Sequence, residues 1–491
     1  MGHEHRCRGC LSRRQCLQFI SGAAIAATAA SGELAGAAPA VRDRGAQSVD
    51  PASLRPAPRV RVAAALLRMP TPYWLGWPGT TFDLDRHSRQ VHAHIEASRR
   101  ALGIDIEVAD QPIQDEAGLN SLMQRVAGSR PDALLVVLQH LACWGWVDRL
   151  SREVKVPLLV VSPVGTSFTH TMVGISRRPG VYVVSSLEWP TVEDGLRMVR
   201  AKRMFEETRI LWIHGNQRNE TVLDWLGTRV RQIPRHTFNE WFDREPVTAE
   251  VRDVAADMRR RARRIVEPTA DDAVNAARAY TTAKRLLAAE QANALTMDCL
   301  GMVGARLVPT PPCGAFMLLL DQGITAGCEA DLFGATSLML TSYLLGRPGF
   351  LSNPVAETAK NLLVSMHCTS GSRLWGFDKR PAPYIMRDHS ESSLGVAMQV
   401  LWPVGDAVTY VRFTHAGEVA VDTGKVVSNV ATPPAGGCRT AIEVAIDGVA
   451  DVRDVLPLHH QVVALGNHRR VVRSFCQLYG INTIHSPAAA A

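Results

Sequence analysis

The 491-residue chain has no apolar run of the ~18 residues that a membrane-spanning helix needs, which excludes a polytopic membrane protein. It has no C-x-x-C spacing. Seven cysteines follow residue 40 (Cys143, Cys299, Cys313, Cys328, Cys368, Cys438 and Cys476), odd in number and widely scattered. That argues against a disulfide framework and a zinc ribbon, and most of them read as small buried hydrophobes. There is no long Lys/Arg run. The net charge is +7, and the densest basic segment, residues 258–264, follows Glu250, Asp253 and Asp257. It reads as a solvated helix face, so nucleic acid is not an expected partner. G-x-x-x-x-G-K-[ST], H-E-x-x-H and G-x-S-x-G are missing, as is G-x-G-x-x-G after a strand. What is present is an ordinary folded composition, 46% hydrophobic and 21% charged, which excludes wholesale disorder. The length suggests roughly three domains at about 150 residues each.

Residues 1–40 read as a targeting signal. Arg13-Arg14 follow Ser12 in a basic segment, a small-residue apolar stretch runs over 19–30, and Ala38-Pro39-Ala40 offers a cleavage site. The paired arginines resemble a twin-arginine motif, with Cys16 where Phe is usual and Gln18 where Lys is common; an ordinary secretory signal or an incidental Arg pair is the alternative. The twin-arginine route exports folded, cofactor-loaded proteins, so the expectation is an extracytoplasmic, periplasmic protein. Residues 41–58 are rich in Ala, Pro and Arg and read as a linker.

Strands then alternate with helices. Residues 60–67, 104–109, 132–138 (DALLVVL) and 156–162 (VPLLVVS) are strand candidates, and Leu84–Leu102, 117–127 and 146–154 have helical spacing. This is the pattern of βαβ units and a parallel sheet. Ligands gather at the C-terminal ends of such strands. Two aromatic segments fall there, 70–77 and 139–146, able to stack on a sugar ring or simply to pack. A second α/β unit begins near Thr191, with a strand at Arg209–Ile213 and helices at 247–266 and 270–294. From about Pro383 to Ile446 the period becomes two, as in a small antiparallel barrel or sandwich, and a last helix runs over 469–479. The expected fold is α/β: two Rossmann-like parallel-sheet domains, 59–190 and 191–355, then an antiparallel β-rich domain, 356–491.

The chemistry concentrates late in the chain. Glu329 and Asp331 stand beside the strongly apolar stretch Leu332–Leu345. Charges next to such burial need a reason. A metal ion is one; a salt bridge, or a helix N-cap by Asp331, is another. Further on, His459-His460 precede a turn at Gly466-Asn467-His468. Carboxylates with an imidazole suit a Mn²⁺- or Mg²⁺-class site.

Six segments in order carry a resemblance: Gly327-Cys328-Glu329-Ala330-Asp331, Gly346-Arg347-Pro348, Met366-His367-Cys368, Gly405-Asp406-Ala407-Val408-Thr409, Gly437-Cys438-Arg439-Thr440 and His459-His460-Gln461-Val462. Together, over about 298–481, they resemble the L-fucose/L-arabinose isomerase superfamily, nearest its fucose isomerase-like branch. The resemblance implies a Mn²⁺-dependent aldose–ketose isomerase of free monosaccharides, an intramolecular oxidoreductase of carbohydrate metabolism. It also implies a homo-oligomer, trimeric or hexameric. Glu329 would be metal ligand and base, His460 a ligand, and His367 a ligand as in the arabinose branch. The second carboxylate, 24 residues after the glutamate in the fucose branch, falls here on Asn353. Asparagine offers a carbonyl oxygen to a metal but accepts no proton as a carboxylate does. The expected site is therefore Glu329, Asn353, His367 and His460 around Mn²⁺ or another divalent metal, with Glu329 and Asn353 at the chemistry. Glu357 and Asp331 are the neighbouring carboxylates in sequence. The alternatives are a catalytically degenerate sugar- or metal-binding protein on the same scaffold, and another metal-dependent sugar enzyme such as an epimerase or lyase.

Overall fold

The fold comes from a computed structural model that describes residues 48–487 apart from 74, 306 and 432–435. The signal read at 1–40 lies outside the described residues. The remainder of the N-terminal stretch, 48–58, is docked: Leu54 is buried, and the Lys284 ammonium donates to the Val49 carbonyl at 2.9 Å.

Five parallel strands form the first sheet, in the order Asp105–Val108, Arg61–Leu67, Ala133–Leu138, Leu158–Ser162 and Val181–Ser185. All six residues of Ala133–Leu138 are buried. A central parallel strand is covered on both faces, which is why DALLVVL reads as a continuous apolar run. The flanking helices are amphipathic and punctuated by the sequence. Leu84–Leu102 begins on the Asp83 side chain, ends on a left-handed Gly103, and buries Leu84, Val91 and Ile95.

The second sheet runs Thr325–Gly327, Ala294–Met297, Arg209–Ile213, Thr228–Ile233, Asn219–Leu223. Its first four strands are parallel, and the polar edge strand Asn219–Leu223 joins by a hairpin. A small sheet has Tyr384–Arg387 at its centre, paired with Arg264–Ile265 on one side and Ala397–Val400 on the other.

The C-terminal part holds a closed antiparallel β-barrel. Going round, its strands are Ala407–His415, Gln461–Leu465, Phe350–Glu357, Leu362–His367, Thr440–Ile446 and Glu418–Asn429, which pairs again with Ala407–His415. Phe350, Leu363, Val408, Tyr410, Ile442, Val444 and Val463 share one core. Leu351, Val411, Phe413, Val421 and Val462, alternate to these, belong to a different core that also contains Leu338, Met339, Leu340 and Tyr343 of helix Leu332–Leu345. That helix is apolar all round because it is covered by the barrel on one side and by the second sheet and helix Pro190–Glu207 on others.

The barrel starts earlier than the period-two pattern at Pro383 predicts. Phe350–Glu357 and Leu362–His367 are its strands, and the Asn353-Pro354 pair breaks their alternation. Within that period-two stretch Glu418–Asn429 is one long strand, with a register shift between Val426 and Ser428. No helix among the described residues is long and apolar enough to cross a membrane.

Candidate metal centre

Three elements converge at the barrel rim. Strand Thr325–Gly327 ends, and the chain turns through Glu329 and Ala330 with φ of 60° and 54° before helix Leu332–Leu345 begins. Two successive non-glycine residues in the left-handed region cost on the order of 1–3 kcal/mol each, so the surroundings must hold the turn. They do so from several sides. The Ala330 N–H donates to the Met297 carbonyl, and the Trp212 indole N–H donates to the Ala330 carbonyl, both at 2.9 Å. The Glu329 N–H meets Cys299 Sγ at 3.4 Å. Asp331 then caps the helix, accepting from the Gly334 N–H at 2.8 Å.

This turn points Glu329 at two imidazoles. His367, at the end of its strand, places Nε2 3.3 Å from Glu329 Oε1. His460, immediately before Gln461–Leu465, places Nε2 3.6 Å from Glu329 Oε2. The ligand atoms of Glu329, His367 and His460 all lie within 4.8 Å of one another. His460 is 0% exposed. Its Nδ1 lies 2.8 Å from Asp331 Oδ2. An ionised Asp331 fixes the tautomer with the proton on Nδ1 and turns the Nε2 lone pair toward Glu329. That Nε2 is buried and has no hydrogen-bond partner among the described residues. A buried, oriented lone pair beside a carboxylate and a second imidazole is what a divalent cation requires, so the donor set fits a metal.

The electrostatics agree. Burial works to raise the Asp331 carboxyl, but the His460 hydrogen bond, the Arg412 guanidinium and the Gly334 N–H outweigh it and hold it well below the usual carboxylate range. Arg412 meets both Asp331 oxygens, at 2.5 and 3.0 Å. Glu329 is held down by its hydrogen bond with His367, against burial, with His460 and His459 adding to it. Burial alone would lower His367, but the contacts with Glu329 leave it raised. With the carboxyl lowered and the imidazole raised, the pair favours an ionised Glu329 beside a protonated His367, so cation binding at these atoms would release the imidazole proton.

Of the residues expected from sequence, Glu329, His367 and His460 come together. Asn353 lies on the strand between those of the two histidines, paired in register with Met366. It makes no hydrogen bond to the group among the described residues. Glu357 sits at the far end of that strand, where its carboxylate accepts from the Ala359 N–H. His459 is exposed, with Nε2 3.9 Å from Glu329 Oε2. Asp331 fills both of its simple expectations, helix cap and ion pair, and also orients His460. Arg412 and Trp212 are the supporting residues that sequence reasoning missed. Nothing local marks them, since each reaches the turn from a distant strand.

The aromatic segments belong to the first sheet. Trp144 is buried and donates to the Thr166 carbonyl, and Trp146 donates to Glu116. Tyr73 stands edge-on to His140, and Trp77 is half-exposed against the Phe168 ring. No contact among the described residues joins them to Glu329 or its histidines. The six described thiols apart from Cys438 are buried, and all seven are free.

The fold and the group thus define a mixed α/β protein with a buried Glu/His/His site able to hold a divalent metal. Comparison with known proteins adds a direction. Over 60 residues the chain is 37% identical to the sulfoquinovose isomerase of Clostridium sp. (strain MSTE9), a stretch that is 12% of this chain and 13% of that protein. No protein-family model matches the chain. The match is to a sugar isomerase and is compatible with an aldose–ketose isomerase.

Proposed function

We propose that this protein is an exported, divalent-metal-dependent aldose–ketose isomerase that acts on a free monosaccharide through an ene-diol. The observation that carries the reading is the buried Glu329–His367–His460 group with His460 oriented by Asp331. The short likeness to a sulfoquinovose isomerase supports the same reaction class. Export rests on residues 1–40 and their paired arginines, and a homo-oligomer on the motif resemblance.

Moving hydrogen between C1 and C2 of an aldose needs a group that takes a proton from one carbon and returns it to the other. Glu329, His367 and His460 would hold the metal, with Mn²⁺ the expected ion and Asn353 a further carbonyl ligand. The bound cation would supply a Lewis acid that steadies the substrate oxygens. Glu329, kept ionised by its imidazole neighbours, is the base and carries the proton on a carboxylate oxygen. Asp331 stays ionised and keeps the His460 proton on Nδ1. His459, exposed and next to Glu329, links that carboxylate to solvent.

A second reading, a degenerate sugar- or metal-binding protein, is favoured by one observation: position 353 is asparagine, and Glu329 is the one carboxylate that joins His367 and His460 in the ligand group among the described residues. Deuterium incorporation separates the two. The Mn²⁺-loaded protein is incubated in D₂O with a panel of aldoses including sulfoquinovose, and the sugars are filtered off for NMR. Isomerase chemistry puts deuterium at C2 of one sugar and loses it in Glu329→Ala. Full metal occupancy with no exchange across the panel selects the binding protein.

A further inference from the structure

We propose that the cavity beside the last helix binds a phosphate monoester, at an anion site separate from the metal group. The cavity measures about 760 Å³ and lies along helix Arg469–Leu478, bounded also by Pro179 and residues 480–483. Arg469, Arg470, Arg473 and Ser474 line it from the helix. Their spacings of one, three and four residues put them on one stripe of the helix surface. Asn482 and Thr483 line it from the short strand Asn482–Ile484, which pairs with Glu418–Asn429. His460 immediately precedes strand Gln461–Leu465, whereas Asn467, which lines the cavity, follows that strand. The two sites thus stand at opposite ends of one strand, and the proposal does not rest on the metal reading.

The charge is unbalanced. Three guanidiniums line the cavity, and no carboxylate does among the described residues. Arg470 meets Asp194 at 3.1 Å, but Asp194 is shared with Arg197 at 3.2 Å. The side chains of Arg469 and Arg473 have no ion pair or hydrogen bond among the described residues. Two positive charges are left uncompensated, which suits the nearly dianionic phosphate monoester at neutral pH. The helix itself gains nothing from them. Arg469 and Arg470 open its first turn, where the dipole is positive, and that turn holds no acidic residue. Arg473 then stands four and three residues from these like charges. An anion relieves both penalties and accepts the paired N–H donors of a planar guanidinium.

The helix wall is fixed by the protein's own contacts. The Gln477 amide donates to the carbonyls of Ser176, Val181 and Arg178 at 2.5, 3.0 and 3.3 Å, and the Gly180 N–H donates to the Gln477 carbonyl at 3.2 Å. The volume is that of a small-molecule site. Inorganic phosphate would fill a small part of it. The Ser474 and Thr483 hydroxyls and the Asn482 amide offer hydrogen bonds to the organic portion of an ester.

The experiment strips the full protein of metal with a chelator, so that phosphate meets no resident cation. Calorimetry then follows titration with glucose 6-phosphate, glycerol 3-phosphate, inorganic phosphate and glucose. At least one ester should bind one to one, more tightly than inorganic phosphate and more weakly as salt is added, and glucose should not bind. Arg469→Ala and Arg473→Ala should each weaken the ester by about tenfold or more, while Arg89→Ala, which removes an equal charge from the exposed face of helix Leu84–Leu102, should stay within about twofold. The ligand-free variants should melt no lower than the native protein, because each removes a like-charge repulsion; Arg473→Gln replaces Arg473→Ala if that variant fails to fold. Absence of binding by both esters at millimolar concentration overturns the site. Undiminished binding in both arginine variants overturns its location. Inorganic phosphate binding as tightly as the esters overturns the assignment to an ester.

Discussion

Replacing Asp331 by asparagine separates its structural contacts from its effect on the metal group. The native carboxylate accepts from the Gly334 N–H, from both terminal nitrogens of Arg412 and from His460 Nδ1. Asparagine keeps the volume and one carbonyl, which is enough to cap the helix. It removes the negative charge facing the largely buried Arg412 guanidinium and presents an amide to donors on two sides. Breaking a buried pair by removing one partner costs about 3–5 kcal/mol. Loss of the carboxylate that orients a metal-binding histidine weakens binding by about 10–100-fold, or about 1.4–2.8 kcal/mol. Thermal unfolding of the chelated protein reads the first effect, and Mn²⁺ calorimetry the second. Asp331→Asn should lose about 3 kcal/mol of stability and at least about tenfold in affinity. Arg412→Lys is the control, because it leaves the His460 contact intact; it should destabilise the protein while keeping Mn²⁺ affinity within about threefold. Native-like affinity in Asp331→Asn would refute the tether. An equal loss in Arg412→Lys would refute its assignment to His460.

Glu329→Gln removes the one carboxylate of the group and should cut Mn²⁺ affinity by at least about 100-fold with little change in the chelated protein's melting temperature; calorimetry and thermal unfolding check both. The raised His367 and depressed Glu329 fix a pH dependence. Mn²⁺ affinity should strengthen as pH rises through the elevated His367 value, with proton release on binding, and titrations in buffers of different ionisation enthalpy count that proton. The depressed Asp331 stabilises the fold fully above the ordinary carboxylate pKa of about 3.9, and this contribution is lost as pH falls toward its lower native value. The acid limb of the stability curve should therefore be shallower in Asp331→Asn, as measured by urea melts from pH 6 downward. Asn353→Asp places a carboxylate on the strand between the two histidines. Tighter Mn²⁺ binding with a gain of deuterium exchange would favour the binding-protein reading of the native chain, and loss of a native exchange activity would show that Asn353 suits a different reaction.

The parallel sheet was legible because strands buried on both faces must be apolar throughout, and residues 132–138 and 156–162 have no competing pattern. The first two barrel strands were not. Phe350–Glu357 carries Asn-Pro at its centre and one half-exposed face, and it follows a helix that is apolar on every side. Edge strand Asn219–Leu223 is polar because one of its neighbours is water. In the candidate site, residue type and order pointed to Glu329, His367 and His460. The contacts that hold them were invisible, since Arg412 lies 81 residues and His460 129 residues from the aspartate they share. Such pairing depends on how the barrel closes, and no local spacing encodes it.

Helix Leu332–Leu345 has no side that faces water along most of its length, and its first turn hangs on Asp331. Its amide hydrogens therefore have few local openings through which to exchange with solvent. They should exchange chiefly when the barrel and the second sheet come apart together. The backbone that starts this helix is the same backbone that aims Glu329. Exchange at Gly334 and Ala335, both bonded to Asp331, should then follow metal occupancy, slowing as ion is added, and would turn two backbone amides into a gauge of how firmly the centre is loaded.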